Sequence, residues 1–278
     1  EYPFNFQYLP GDKFFITNFS QAGLFDVEGT KLQDLKMSMN EVEGFDSEDE
    51  TPLNYDVRLS KDLKTHYSLP GDFFEGTRDF AVIDLETKSG KLIDLPEMDI
   101  AGDFRIINQS QNGFTIYIEE VTGNQIGDYM YITSTAPSKV YRYDMQMDSL
   151  QLFEFPHKIT ALSKTGEVKN RVSSQEEFET EMAKLQGQIR YNPLLWDDKT
   201  QRFYRFGGKT LPKISEEVPQ KSEVFLYAFD KDLNLLGETE IEELDKLPSY
   251  PFFKDGKLWS YVNIEDELGF AIMDFNFN

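Results

Sequence analysis

Residues 223–241, EVFLYAFDKDLNLLGETEI, place two apolar-rich strands around a short polar turn running from Asp230 to Asn234. An aspartate that closes a strand has a local task. Its carboxylate accepts from backbone N–H groups two residues on and so fixes the turn that follows. The same arrangement recurs at Asp26, Asp84, Asp144 and Asp274. The shortest interval, from Asp230 to Asp274, fits the ~40–50 residues of a four-stranded propeller blade. The longer intervals fit blades that carry insertions. Strand–turn–strand units at this spacing restrict the chain to an all-β architecture.

The repeats predict a β-propeller of four-stranded antiparallel blades, each a twisted meander with its apolar faces buried against its neighbours. Four blades can be drawn in full, over residues 4–37, 51–95, 114–155 and 191–241. A fifth, over 250–275, has three strands, and a sixth is allowed for in the full protein. The 24 Phe and 14 Tyr suit wide interfaces between blades. A large β-sandwich is the alternative that the same spacing permits. Residues 1–278 read as one domain. The chain opens without an initiator Met, which predicts a processed or trimmed product, and the residues before Glu1 are the expected source of a closing strand.

One segment departs from the strand pattern. Phe178, Met182 and Leu185 form a helical stripe within residues 173–186. Ser174 and Glu177 have the spacing of a capping box, and Gly187 stands where the helix would stop. The prediction is one helix inserted in a β framework. Residues 41–52 carry Glu41, Glu43, Asp46, Glu48, Asp49 and Glu50. Like charges at that density resist packing, which predicts a solvated loop.

Charge and residue types exclude several functions. Against 50 acidic side chains stand 28 basic ones, for a net charge of −22. Such a surface repels nucleic acid and anionic lipid, and it suits cationic ligands, divalent cations or neutral sugars. With Cys at zero there are no disulfides and no thiolate metal sites. His66 and His157 stand alone, so no histidine metal site is expected. Asp230-x-Asp232-x-Asn234 begins like a calcium loop, but its sixth position is Leu235 and its twelfth Ile241, so it reads as a hairpin turn. No nucleophile elbow, phosphate loop or dinucleotide fingerprint occurs, and no cofactor is expected. No apolar run approaches the ~20 residues that cross a bilayer.

Glu119, Glu120, Asp197 and Asp198 lie near strand ends. A glycosidase or lyase needs two such acids about 5–10 Å apart in a pocket. Asp197 and Asp198 read first as turn residues. Arg190, Tyr191 and Arg205 are the candidate ligand-binding residues, because Arg offers a planar donor fork and Tyr an amphipathic face. Burial between blades with local partners is the competing reading.

The stretch 190–206, RYNPLLWDDKTQRFYRF, together with FLYAFD at 225–230, resembles a Bacteroidetes family of uncharacterised, propeller-like lipoproteins. The resemblance implies export, an N-terminal lipid-modified Cys and a longer chain. This sequence holds neither that Cys nor its signal, so the membrane anchor is implied only. The family carries no catalytic residues to transfer. The expectation is an extracytoplasmic, non-enzymatic binding or scaffold module for a protein or glycan, in the periplasm or on the outer membrane. The alternative is a carboxylate-dependent glycan hydrolase or lyase with its site at the propeller axis.

Overall fold

The computed structural model describes residues 5–18, 21–45, 50–72, 74–110, 113–215 and 217–275. The chain divides into two compact units, Glu1–Asp99 with Val121–Gln125 and Ile100–Glu120 with Ile126–Asn278.

In the first unit, β1 (Asn5–Leu9), β2 (Lys13–Thr17), β3 (Ala22–Asp26) and β4 (Lys31–Asp34) form an antiparallel meander in chain order. A second meander follows, of β5 (Arg58–Leu59), β6 (Thr65–Ser68), β7 (Phe80–Asp84) and β8 (Ser89–Ile93). Successive strand residues point to opposite faces, so alternate apolar positions meet. Leu9, Phe15, Leu24, Val57 and Leu59 form one core cluster, and Met37, Val42, Phe45, Leu53, Ala81 and Ile83 another.

That second cluster corrects the expected solvated loop at 41–52. Val42 and Phe45 are buried within it. Glu43 bridges to β8, donating its N–H to Lys88 O at 2.9 Å and accepting from Gly90 N at 2.8 Å. Apolar anchors one and two positions from the acids override the charge density. Asp46, Glu48 and Asp49 lie outside the described residues, as does Phe4 of the first expected blade. Gly44 makes the close approach possible. Its φ is +94°, and a methyl group there would meet the carbonyl oxygen of Gly90. Gly44→Ala is expected to lower stability by roughly 1–3 kcal/mol, read as a lower urea midpoint. An unchanged midpoint would mean that the segment detaches freely.

His66 lies fully buried, its ring centre 6.5 Å from that of Phe15. Burial pulls its pKa down to about 4, with the Leu53 backbone opposing. The unfolded chain takes up a proton near pH ~6.5 that the folded chain refuses. Stability is therefore complete above the unfolded pKa and declines as pH falls from there toward about 4. In His66→Leu, this contribution to acid unfolding should vanish, giving a shallower loss of ellipticity over that window. An acid-unfolding slope equal to that of the parent would refute the linkage.

In the second unit, β9 (Ile106–Ser110) pairs with β10 (Gly113–Tyr117). A fourth sheet holds β11 (Val121–Ile126), whose residues through Gln125 count with the first unit, β12 (Tyr129–Ser134), β13 (Val140–Asp144) and β14 (Ser149–Phe153). The other edge of β9 takes β15 (Arg171–Val172) in parallel. The expected blade over 114–155 is thus two sheets. Its first strand pairs backward with β9, the register Phe114↔Gln109 through Tyr117↔Ile106 being complete.

A short helix α1 (Ile100–Asp103), absent from the sequence reading, precedes β9. The expected inserted helix is α2 (Gln175–Gln186), with Ser174 as its cap accepting from Glu177 N at 3.1 Å. The returning carboxylate reaches Ser173 N at 3.0 Å, one residue earlier than a standard box. Phe178 and Leu185 pack with Phe104, Ile106, Ala136 and Val172.

The fifth sheet is built on the long pair β18 (Arg202–Thr210) and β19 (Ser222–Phe229), with β20 (Leu235–Glu240) outside β19. Two short strands, β16 (Arg190–Tyr191) and β17 (Leu195–Asp197), share the other edge of β18. The last sheet has three strands, as expected: β21 (Ser249–Lys254), β22 (Lys257–Ile264) and β23 (Glu267–Met273). The described residues thus form six sheets rather than five. Three are the expected four-stranded antiparallel meanders.

The aspartate reading, acceptance from an N–H two residues on, holds at Asp84, Asp144 and Asp230, and at Asp26 the bond runs four residues on. Asp26 Oδ1 accepts from Thr30 N, Asp84 Oδ1 from Glu86 and Thr87 N, Asp144 Oδ1 from Gln146 and Met147 N, and Asp230 Oδ1 from Asp232 and Asn234 N, all at 2.7–2.9 Å. Asp197 does the same with Lys199 N at 3.1 Å and belongs to the set. Asp274 follows β23 with no strand after it among the described residues.

Candidate functional site

Beyond β10 the chain runs through Glu119 and Glu120 before entering β11. Glu119 is the buried member, its side chain fully enclosed. Tyr117 OH donates to its Oε1 and Thr135 Oγ1 to its Oε2, each at 2.5 Å. Thr135 is held in place by its neighbour. Its Oγ1 accepts from Glu120 N at 2.9 Å, and its own N–H donates to Glu120 O at 3.0 Å.

Two cations face the same carboxylate. Lys164 Nζ lies 3.5 Å from Oε1 and also donates to Leu185 O at 3.2 Å. Arg190 Nη1 lies 3.8 Å from Oε2, and Nη2 lies 3.3 Å from Glu120 Oε1. The group is neutral by count, two acids against two bases, and it grades from core to surface. The side chains of Lys164 and Glu119 are 1% and 0% exposed, that of Arg190 32% and that of Glu120 53%. Burial, with Glu119 beside it, pushes the Tyr117 phenol well above its ordinary value, so it remains a donor. Burial pulls the Lys164 ammonium below the usual lysine range, with Glu119 opposing.

Tyr191, the next residue along β16, points the other way, as strand alternation requires. It enters a second cluster around Arg205. The Arg205 side chain is fully buried, and its fork is met by backbone oxygens alone: Nε donates to Asn192 O at 2.6 Å, Nη1 to Ser138 O at 2.5 Å and Nη2 to Ser134 O at 3.0 Å. The guanidinium carbon lies 4.8 Å from the centre of the Tyr191 ring. Burial brings its pKa down to about 10, with Tyr191 and Tyr227 opposing. Tyr191 OH donates to Ala161 O at 2.5 Å, and Thr160 Oγ1 lies 3.0 Å from Tyr191 OH and 2.6 Å from Tyr227 OH. The His157 ring centre lies 4.2 Å from that of Tyr227, the two planes tilted by 42°. Its Nδ1 is 3.6 Å from Glu238 Oε2, and burial, then Arg205, lower its pKa to about 4. It is a neutral core histidine.

The three candidate binders therefore separate. Tyr191 and Arg205 belong to the interior, while Arg190 reaches the surface. Of the candidate acids, Glu119 and Glu120 meet through Arg190. Asp197 is buried and accepts from Thr200 Oγ1 at 2.6 Å, and Asp198 accepts from Gln201 Nε2 at 3.1 Å, so both are turn residues. Among the described residues no group of three or more His, Asp or Glu is placed to hold a metal ion. Tyr117, Thr135 and Lys164 were missed, because they converge from separate segments with no common spacing. The last sheet was legible in principle. Its strands carry bulky apolar residues at both parities, and alternation predicts that one set is left outside.

A family model described as a domain of unknown function, DUF4221, matches residues 1–240. A crystal structure of a DUF4221 member from Bacteroides vulgatus is similar to this chain at 15% identity and a TM-score of 0.59, over 95% of this chain and 76% of that one. Dipeptidyl peptidase 4 from Porphyromonas gingivalis is similar at 9% identity and a TM-score of 0.46, over 92% and 36%. The β-propeller domain of the trilobed protease from Pyrococcus furiosus is similar at 12% identity and a TM-score of 0.36, over 99% and 83%. A comparison with curated proteins finds no match. With its family model spanning 1–240 and the Bacteroides vulgatus structure sharing its fold, the chain belongs to the DUF4221 family, a domain of unknown function.

Proposed function

We propose that this protein is a non-enzymatic binding or scaffold module that works outside the cytoplasm, its sheets serving as the blades of a propeller. The observation that carries this reading is the state of Glu119. A hydrolase or lyase must offer a carboxyl oxygen to its substrate. Both Glu119 oxygens are taken by hydroxyl donors, and the side chain is enclosed. Glu120, exposed, is engaged by Arg190 at 3.3 Å. What remains for a ligand is a surface ion pair, suited to a polar protein or glycan and not to proton transfer. The extracytoplasmic placement rests on the resemblance to exported lipoproteins.

Purified protein should release no reducing ends or unsaturated products from a panel of envelope and dietary polysaccharides. Arrays of the same glycans and of envelope proteins should retain it, with retention weakened by Arg190→Ala. Release of product by the parent protein would overturn the proposal in favour of the glycan hydrolase or lyase.

A further inference from the structure

The last sheet has two apolar faces, and among the described residues only one is covered. The register pairs Phe253 with Leu258 and Leu258 with Met273, and these three pack with Tyr204, Phe206 and Leu226 of the fifth sheet. The opposite parity pairs Phe252 with Trp259, Trp259 with Ile272 and Tyr261 with Phe270. Phe252, Phe270 and Ile272 are 42%, 42% and 51% exposed, and Leu268 on the same face is 72% exposed. Phe252, Trp259 and Phe270 touch one another, with ring centres 5.9–6.3 Å apart.

Among the described residues β23 pairs with β22 alone, and the sheet stops at three strands where three others have four. Natural sheets guard such edges with lysine, proline or other charges. Edge strands β4 and β8 carry Lys31 and Lys91, and β20 carries Glu238 and Glu240. β23, ELGFAIM, has no charge after Glu267 and no proline.

We propose that β23 is a docking edge that takes an extended segment of another protein as a fourth strand. The added strand hydrogen-bonds along 267–273 and extends the Phe270–Ile272 face with its own alternate apolar side chains. Charge selects the partner. β23 is bracketed by exposed Glu265, Asp266 and Glu267 at one end and by exposed Asp274 at the other. A second copy of the chain, paired through the same edge, would set acids against acids in either direction. A strand flanked by Lys or Arg neutralises both ends. The inference goes beyond the binding reading by naming a surface and a partner chemistry, and it does not depend on the Glu119 cluster.

The test uses the full-length protein, with any residues that precede Glu1, and three synthetic peptides of about nine residues, a usual strand length. One alternates Ile or Phe with Thr between Lys pairs, one replaces the Lys pairs with Glu, and one places Pro at the centre. The readouts are calorimetric titration and hydrogen exchange over 267–273. The Lys-flanked peptide should bind and slow exchange there while leaving β5–β8 unchanged. The Glu-flanked and Pro peptides, and the variants Leu268→Lys and Phe270→Lys, should each weaken binding by about tenfold or more, the weight of one anchor. Slow exchange of 267–273 in the free protein would show the edge covered by its own chain and overturn the proposal. So would concentration-dependent protection with dimers in sedimentation, no binding of the Lys-flanked peptide, or equal binding of the Glu-flanked one.

Discussion

Replacing Arg205 with methionine is expected to cost about 3 kcal/mol of unfolding free energy, read as a lower urea midpoint by tryptophan fluorescence. Two effects oppose one another. Burial holds the guanidinium at about 10 from 12.5, so a standing cost of roughly 3 kcal/mol disappears with the charge. Against that, the backbone oxygens of Ser134, Ser138 and Asn192 lose their donors inside the core. An orphaned buried acceptor costs ~1–3 kcal/mol, and three of them outweigh the relief. The contact with the Tyr191 ring is lost too. Arg205→Lys should fall between parent and methionine variant, because one ammonium cannot reach three divergent carbonyls. A methionine variant as stable as the parent would refute a structural role and return Arg205 to the candidate ligand-binding residues.

Glu119→Gln is expected to cost more, about 3–5 kcal/mol, because it leaves Lys164 charged and enclosed without its counter-ion. The pH dependence gives the mechanism a second check. Burial already lowers the Lys164 pKa, and Glu119 is the group that raises it. Removing Glu119 lowers it further, while the unfolded lysine keeps its ordinary value near ~10.4. Between the two the unfolded chain binds the extra proton, so stability should rise with pH over that interval, more steeply than in the parent. The double variant Glu119→Gln with Lys164→Met should recover much of the loss, a coupling of ~1–3 kcal/mol. Simple additivity of the two single variants would mean that Lys164 is compensated elsewhere. Loss of stability would account for any loss of ligand binding in Glu119→Gln, so binding is better tested through Arg190, a third exposed.

The hairpins were readable because their causes are local. Asp84 fixes its turn with the N–H groups of Glu86 and Thr87, two and three residues away, Asp144 does the same with Gln146 and Met147, and Asp230 accepts from Asp232 and Asn234, two and four residues away. The helix was readable for the same reason: its stripe and the Ser174 cap lie within one short segment. The blade boundary at 114–155 was not. Strand β10 pairs equally well, by composition, with the strand before it or the one after, and only the observed register shows that it pairs with β9. The loop at 41–52 misled because charge counting ignores two apolar side chains with somewhere to go.

Residue types and spacing alone determined that this chain makes antiparallel meanders closed by aspartate turns, that a helix interrupts them near residues 175–186, and that no thiolate is available. Each follows from interactions within a few residues. Only the tertiary structure decided that Arg190 and Tyr191, neighbours in sequence, serve different clusters, that Glu119 is sealed by Tyr117, Thr135 and Lys164, and that Phe252, Phe270 and Ile272 on the Trp259 face of the last sheet are exposed. Those outcomes depend on which distant segments arrive at the same place, and burial and charge pairing are properties of that arrival.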